Sequence, residues 1–298
     1  MNGTLQNLIR EELCQNGMWQ LSDVMKSALI HQMCRLPKNE VSEIETRYPQ
    51  SPAEMRAFLV KFFTRHYFQT QNSVIDYMTS QDFLDIIRFG HLRILDVGSG
   101  PAVASLAITD MLAYILEYLN YREEWPKDKT AKMTYVLNDT SGICLGTGQC
   151  MLTDYFRISK RYNKPLIHSQ TISMQKAFPD NLNQLQRVRL HLGTYDIAIF
   201  SYVVSPLNED KGFDNLVNGL SNIETLCRHN GRILILQDKF QAALVRRISR
   251  AMGISSHKKK LTQHIYPSRN MNETYTYSYY ECLYAPIRKT IVKASCIA

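Results

Sequence analysis

At 298 residues, with 45% hydrophobic and 21% charged residues and a net charge of +8, the chain has the balance of a soluble globular protein with a sizeable core. No apolar run approaches the roughly 20 residues of a membrane span, and Met1 to Gln6 lacks the basic and hydrophobic regions of a secretory signal. Seven scattered cysteines without a C-x-x-C pair point to reduced thiols in a cytoplasmic setting and away from a disulfide framework or a cysteine metal site.

Residues 1–90 read as an N-terminal helical cap. Apolar residues recur at helical spacing in Leu21 to Ile30 and again in Met55 to Phe63. Pro37, Pro49 and Pro52 punctuate the stretch, and Ser51 with Glu54 three positions on is a capping-box signal for the helix that carries Arg65, His66 and Tyr67. Residues 91–298 form a second unit in which short apolar strands alternate with helices. Strands are predicted at Ile94 to Val97, Met133 to Leu137, Leu166 to Gln170, Ile197 to Phe200 and Ile233 to Leu236. Helices are predicted over Ala102 to Leu119, Gly142 to Arg161, Phe213 to Cys227 and Gln241 to Met252. Such alternation implies parallel strands joined by right-handed helical crossovers, hence an α/β doubly wound sheet. The aromatic and threonine-rich run Glu273 to Tyr284 suits a strand pairing with one near Thr262 to Tyr266.

The most informative stretch is Leu95-Asp96-Val97-Gly98-Ser99-Gly100-Pro101, where an apolar run ends in a carboxylate and a glycine turn that opens a helix. Glycines let the backbone turn sharply and meet a ligand closely, beside the free N–H groups of a helix start. Val103 stands where the dinucleotide fingerprint G-x-G-x-x-G has its third glycine, so a ligand without a pyrophosphate fits better. A second strand-end carboxylate, Asp139 in Asn138-Asp139-Thr140-Ser141, has oxygens that can accept both hydroxyls of a ribose, or it caps a helix.

The Leu95 to Gly100 motif and the strand–helix order from about Leu92 to Tyr284 resemble the class I S-adenosylmethionine (SAM)-dependent methyltransferases. The resemblance implies a mostly parallel, seven-stranded Rossmann-like methyltransferase sheet closed by an antiparallel pair, with SAM as cofactor. It implies that Asp96, Gly98, Ser99 and Gly100 hold the amino-acid end of SAM and that Asp139, beside Thr140, holds the ribose. Gln170, with Ser169 and Ser173, falls near the adenine, and Ser201 and Tyr202 line the transfer site. Arg65, His66 and Tyr67 either close over that site or pack within the cap. The segment Ser201-Tyr202-Val203-Val204 does not match the D/N-P-P-Y/F pattern of adenine amino-methylating enzymes, and no Pro-Cys nucleophile of the cytosine-C5 type is present.

A weaker resemblance links the glycine turn, Ser201 to Leu207 and the arginines of Gln241 to Met252 to methyltransferase-like proteins associated with the small ribosomal subunit, without that family's cysteine cluster. The turn Gly98-Ser99-Gly100-Pro101 also resembles that of small-molecule amine N-methyltransferases. Between Lys239 and Asn272 there is no Asp or Glu, while Lys239, Arg246, Arg247, Arg250, Lys258, Lys259, Lys260 and Arg269 bring eight positive charges. Clustered charge of this kind tracks phosphates, or it is a solvated face. The acceptor expectation therefore leans to RNA. A small-molecule N- or O-methyltransferase and a non-catalytic SAM-binding assembly or regulatory protein remain the alternatives.

Overall fold

Alternation in the central strand decides how the molecule is layered. In His91–Val97 (β3), Leu92 and Ile94 enter one core, while Leu95 and Val97 enter another on the opposite side. A strand apolar on both faces needs helices on both. The computed structural model describes residues 2–38, 48–126, 129–203, 210–264 and 274–286. One face of the sheet is covered by Asn2–Leu13 (α1), Asp23–Arg35 (α2), Pro52–Met78 (α3), Gln81–Arg88 (α4), Val103–Tyr121 (α5) and Gly142–Ser159 (α6). The other face is covered by Leu182–Leu192 (α7), Asp210–Leu226 (α8) and Ala242–Met252 (α9).

The remaining strands are Cys14–Gln15 (β1), Met18–Trp19 (β2), Ala131–Asp139 (β4), Ile167–Gln175 (β5), Tyr195–Ser201 (β6), Cys227–Asp238 (β7), His257–His264 (β8) and Thr274–Tyr284 (β9). They form one sheet in the order β1-β2-β8-β9-β7-β6-β3-β4-β5. The five strands β5-β4-β3-β6-β7 are parallel, and β9 and β8 close the sheet antiparallel, as expected. The expected seven strands are extended to nine by the β1–β2 hairpin, which joins through Trp19 opposite Gln263. The hairpin's signal is the Asn16-Gly17 pair, both at positive φ (51° and 77°), the conformation a two-residue hairpin turn requires. Helix α7 is an addition to the expected elements. Leu185 is its one buried residue, and Leu182, Val188 and Leu192 pack on the second core beside it.

Helices α1 to α4 share a continuous core with the sheet. The capping box forms in part: Ser51 Oγ accepts from Glu54 N at 3.3 Å, while Glu54 Oε2 accepts from Gln50 N at 2.6 Å, one residue before the cap. Deeper in, the buried carboxylate of Asp110 on α5 accepts hydroxyls from Ser22 (2.8 Å), Tyr67 (2.6 Å) and Tyr155 (2.7 Å). This ties the α2 start, α3 and α6 to the apolar helix α5. Tyr67 is thereby a brace inside the core. Of the three cap residues with two open readings, Arg65 and His66 line the cavity and Tyr67 packs away from it. No helix among the described residues is long and apolar enough to cross a membrane.

Candidate functional site

The strand order reverses between β3 and β6, and the loops leaving neighbouring strands there diverge, which opens a crevice at the carboxyl edge. A cavity of about 550 Å³ occupies that position, within the range that holds a drug-sized ligand. Its floor is the turn after β3, with Gly98, Ser99, Gly100 and Pro101. Its sides are Asn138, Asp139 and Thr140 after β4, Lys176 and Phe178 after β5, Ser201, Tyr202 and Val203 after β6, and Asp238 at the end of β7. Tyr48, Gln50 and the α3 residues Phe58, Phe62, Arg65 and His66 form its roof.

The turn is built from positive-φ residues: Gly98 at 64°, Gly100 at 52° and Ala102 at 58°. A Cβ on Gly98 would lie 2.5 Å from the Cβ of Val203, so glycine is required there by close approach of the two loops as well as by φ. Gly148 of α6 has a similar cause, since a Cβ there would lie 2.9 Å from that of Ala102. The turn is fastened to β4 by Ser99 N donating to Asn138 O at 2.9 Å.

Asp139 completes the fastening. Its Oδ2 accepts from Gly100 N at 2.8 Å and from the Tyr48 phenol at 2.7 Å, while Oδ1 accepts from Ser141 N at 2.8 Å. The helix cap itself is Ser141, whose Oγ accepts from Cys144 N. Asp139 is therefore a strand-end carboxylate locked to the glycine turn and already receiving a hydroxyl from the cavity side. Burial, and then the Asp139 charge, hold the Tyr48 phenol well above its ordinary pKa, so it stays a donor.

Asp96 is placed differently from expectation. It is fully buried outside the cavity lining, because alternation along β3 turns it toward α5. There its Oδ2 accepts from Ser105 N (3.2 Å) and Ser105 Oγ (2.7 Å), while Oδ1 has no partner. Burial raises its pKa to about 7 from 3.8. The folded chain thus keeps a proton that the unfolded chain releases above pH 4, so stability falls as pH rises from about 4 to about 7 and is level beyond. The slope is at most about 1.4 kcal/mol per pH unit. Asp96→Asn should abolish this dependence, leaving the variant more stable than the parent at pH 8 but not at pH 4. Thermal unfolding at both pH values checks it, and parallel curves for the two proteins would refute it.

Gln170 is also relocated. β5 runs five residues beyond the predicted end, so Gln170 sits exposed in mid-strand opposite Thr134, away from the cavity. Lys176 and Phe178 stand at the true strand end, where Gln170 was expected. Ser169 and Ser173 do not line the cavity either, and Ser173 Oγ accepts from Gln149. Ser201 and Tyr202 do line it, whereas Ser205 to Leu207 lie outside the described residues.

The main feature missed in the sequence is an aromatic stripe. Phe58, Phe62 and His66 recur every four residues on α3 and so share one face. Phe62 stacks on His66 at 5.8 Å, and His66 stacks on Tyr202 at 3.9 Å with the planes 15° apart. Burial, and then the charge of Arg65, lower the His66 pKa to about 3, so the imidazole is neutral. Tyr202 holds a positive φ of 62°, and its phenol donates to Gln69. Beyond it, Arg65 pairs with Asp238, which also caps Phe240 N.

No protein-family model and no curated protein matches the sequence. Similar solved structures include precorrin 8W decarboxylase from Methanobacterium thermoautotrophicum (13% identity, 68% of this chain and 88% of that chain, TM-score 0.38). They also include precorrin-6Y C5,15-methyltransferase from Geobacter metallireducens (11%, 70% and 88%, TM-score 0.40) and the human methyltransferase 10 domain containing protein (10%, 88% and 98%, TM-score 0.39). Five parallel strands closed by an antiparallel pair, helices on both faces and a cavity at the β3/β6 reversal make this a doubly wound, Rossmann-like α/β fold with its cavity at the switch point of the sheet.

Proposed function

We propose that the protein is a SAM-dependent methyltransferase. The observation that carries this reading is Asp139, a buried carboxylate bonded at once to the N–H of Gly100 and to a hydroxyl on the cavity side. Such a group suits ribose hydroxyls, and the glycine turn beside it allows close approach of the rest of a nucleoside. When bound, SAM supplies a methyl group on a sulfonium, open to in-line attack by an acceptor.

The residues of this chain bind and orient. Faces of Phe58, Phe62 and Tyr202 attract a cation at up to about 2 kcal/mol in a desolvated site, and a neutral His66 adds no opposing charge. Lys176 and Phe178 border the end where a base would lie. Asp238 is engaged by Arg65 and Asp139 by three donors, so neither carboxylate is assigned the part of a base. Holding the reactants in line accounts for the catalysis, an effect worth roughly 7–11 kcal/mol of barrier. Mass spectrometry of the purified protein for bound SAM or S-adenosylhomocysteine, with calorimetric titration of SAM, tests the reading. Absence of both species together with no binding would reject it, and binding without S-adenosylhomocysteine formation would favour the non-catalytic alternative.

For the acceptor we propose RNA, on the arrangement of the basic segment. Lys258 lies opposite Tyr280, which belongs to the core under α9, so Lys258 and Lys260 face the side of the sheet that carries α9. Arg246 and Arg250, one turn apart on α9, are exposed on that same side. Three other cations have local partners. Lys259 points to the opposite face and pairs with Glu281 at 3.3 Å, a carboxylate on the neighbouring strand, Arg247 packs over Phe213, and Lys239 over Phe240. Replacing Lys258 and Lys260 by Ala should weaken RNA binding and flatten log K against log salt by about 1.4–1.8, at roughly 0.7–0.9 per contact. An unchanged slope, or a parent that binds no RNA, turns the reading to a small planar acceptor, which the aromatic stripe favours.

A further inference from the structure

We propose that Tyr48 is a gating and specificity-determining residue that makes nucleoside binding an exchange of hydroxyls on Asp139. The inference rests on the SAM reading and adds to it the state of the site before the ligand arrives. Asp139 has about four lone-pair positions. Gly100 N, Ser141 N and the Tyr48 phenol take three of them. A vicinal diol needs two, so it cannot be accepted while the phenol is in place.

Position points the same way. The Tyr48 oxygen lies only 3.3 Å from where a Cβ of Gly100 would be, so it occupies the space over the glycine that close approach of a ligand requires. The backbone donors hold the carboxylate from the strand side, leaving the phenol as the one of the three partners able to yield. The ring of Tyr48 rests edge-on against Phe58, the first residue of the aromatic stripe, so displacement also uncovers that face. A ligand that delivers hydroxyls restores the bond lost when Tyr48 leaves. A ligand without them leaves a buried carboxylate short of a donor, which is costly. A bare base cannot repay that loss and binds with the phenol in place, so the exchange is confined to ligands that carry the ribose.

Tyr48→Phe tests this because it keeps the ring and removes only the competing hydroxyl. Affinities of parent and variant are measured by calorimetry for SAM, adenosine and adenine, with thermal unfolding as the check on folding. SAM and adenosine should bind the variant about 10- to 100-fold more tightly, the effect of deleting a hydrogen bond to a charged group that must be broken, while adenine should change by less than about twofold. A variant that binds only when the parent does not would show the same gate with a tighter latch. Equal or weaker binding of SAM and adenosine by the variant, with the parent binding SAM, overturns the exchange alone and makes Tyr48 part of the ligand cage. If neither protein binds SAM or adenosine, the cofactor reading falls and the exchange falls with it.

Discussion

Gly98→Ala should lower SAM affinity by more than 100-fold and destabilise the fold by about 2–5 kcal/mol. Two causes add. A side chain at φ 64° costs about 1–2 kcal/mol for the left-handed backbone. The new Cβ also lies 2.5 Å from the Cβ and 2.6 Å from Cγ2 of Val203, so the loop after β6 must move, at about 1–3 kcal/mol for overpacking. That loop is a wall of the cavity, and its displacement parts Tyr202 from His66. A requirement for glycine was visible in the motif, but as room for a ligand, whereas the structure gives that room to Val203. The double variant Gly98→Ala with Val203→Gly separates the causes, since removing the colliding Cβ should restore the packing part of the stability and leave the backbone strain. Calorimetry and chemical denaturation report the two quantities. Parental SAM affinity in folded Gly98→Ala would show that the turn is not the ligand floor.

The fold was legible because its signals are local. Strand and helix positions from β3 to α6 follow from apolar runs bounded by turn residues, and β9 follows from its threonine and tyrosine content, while its antiparallel pairing is what the family resemblance implies. What is not legible in the sequence depends on three dimensions. Gln170 was placed at a strand end because Gln170 to Gln175 is too polar to read as a strand, yet pairing with β4 carries β5 on to Gln175. Asp96 was read as a ligand group from the motif, but a one-residue alternation turns it to the helix side, where Ser105 receives it. The acid-free run after Lys239 hid Glu281, which reaches Lys259 only across a strand pair. The aromatic stripe at Phe58, Phe62 and His66 had a readable i, i+4 spacing, but such a stripe ordinarily means core. Only the position of α3 over the β3/β6 crevice turns it into a cavity wall.

Asp139→Ala should have the second large effect, on binding and stability together. The carboxylate is 4% exposed and receives three donors from three parts of the chain: the glycine turn, the start of α6 and Tyr48. Truncation leaves the buried N–H of Gly100 without its acceptor, at roughly 1–3 kcal/mol, and the half-buried N–H of Ser141 likewise, at about 1 kcal/mol. About 2–4 kcal/mol of stability is therefore expected to go, with SAM affinity reduced at least 100-fold, since the ribose loses its acceptor and the turn its anchor. Asp139→Asn should fall between, because one amide oxygen keeps one N–H bond while the NH₂ group confronts the other donor. A purely structural brace would lower stability in the same order, so stability alone does not decide the role. Ser141→Ala supplies the comparison: it removes the α6 cap, at about 1 kcal/mol, without touching the carboxylate. If Ser141→Ala keeps parental SAM affinity and Asp139→Ala loses it, the carboxylate belongs to the ligand site. Parental affinity in both would leave Asp139 as the fastening between β4, the turn and α6, and would move the ribose acceptor elsewhere.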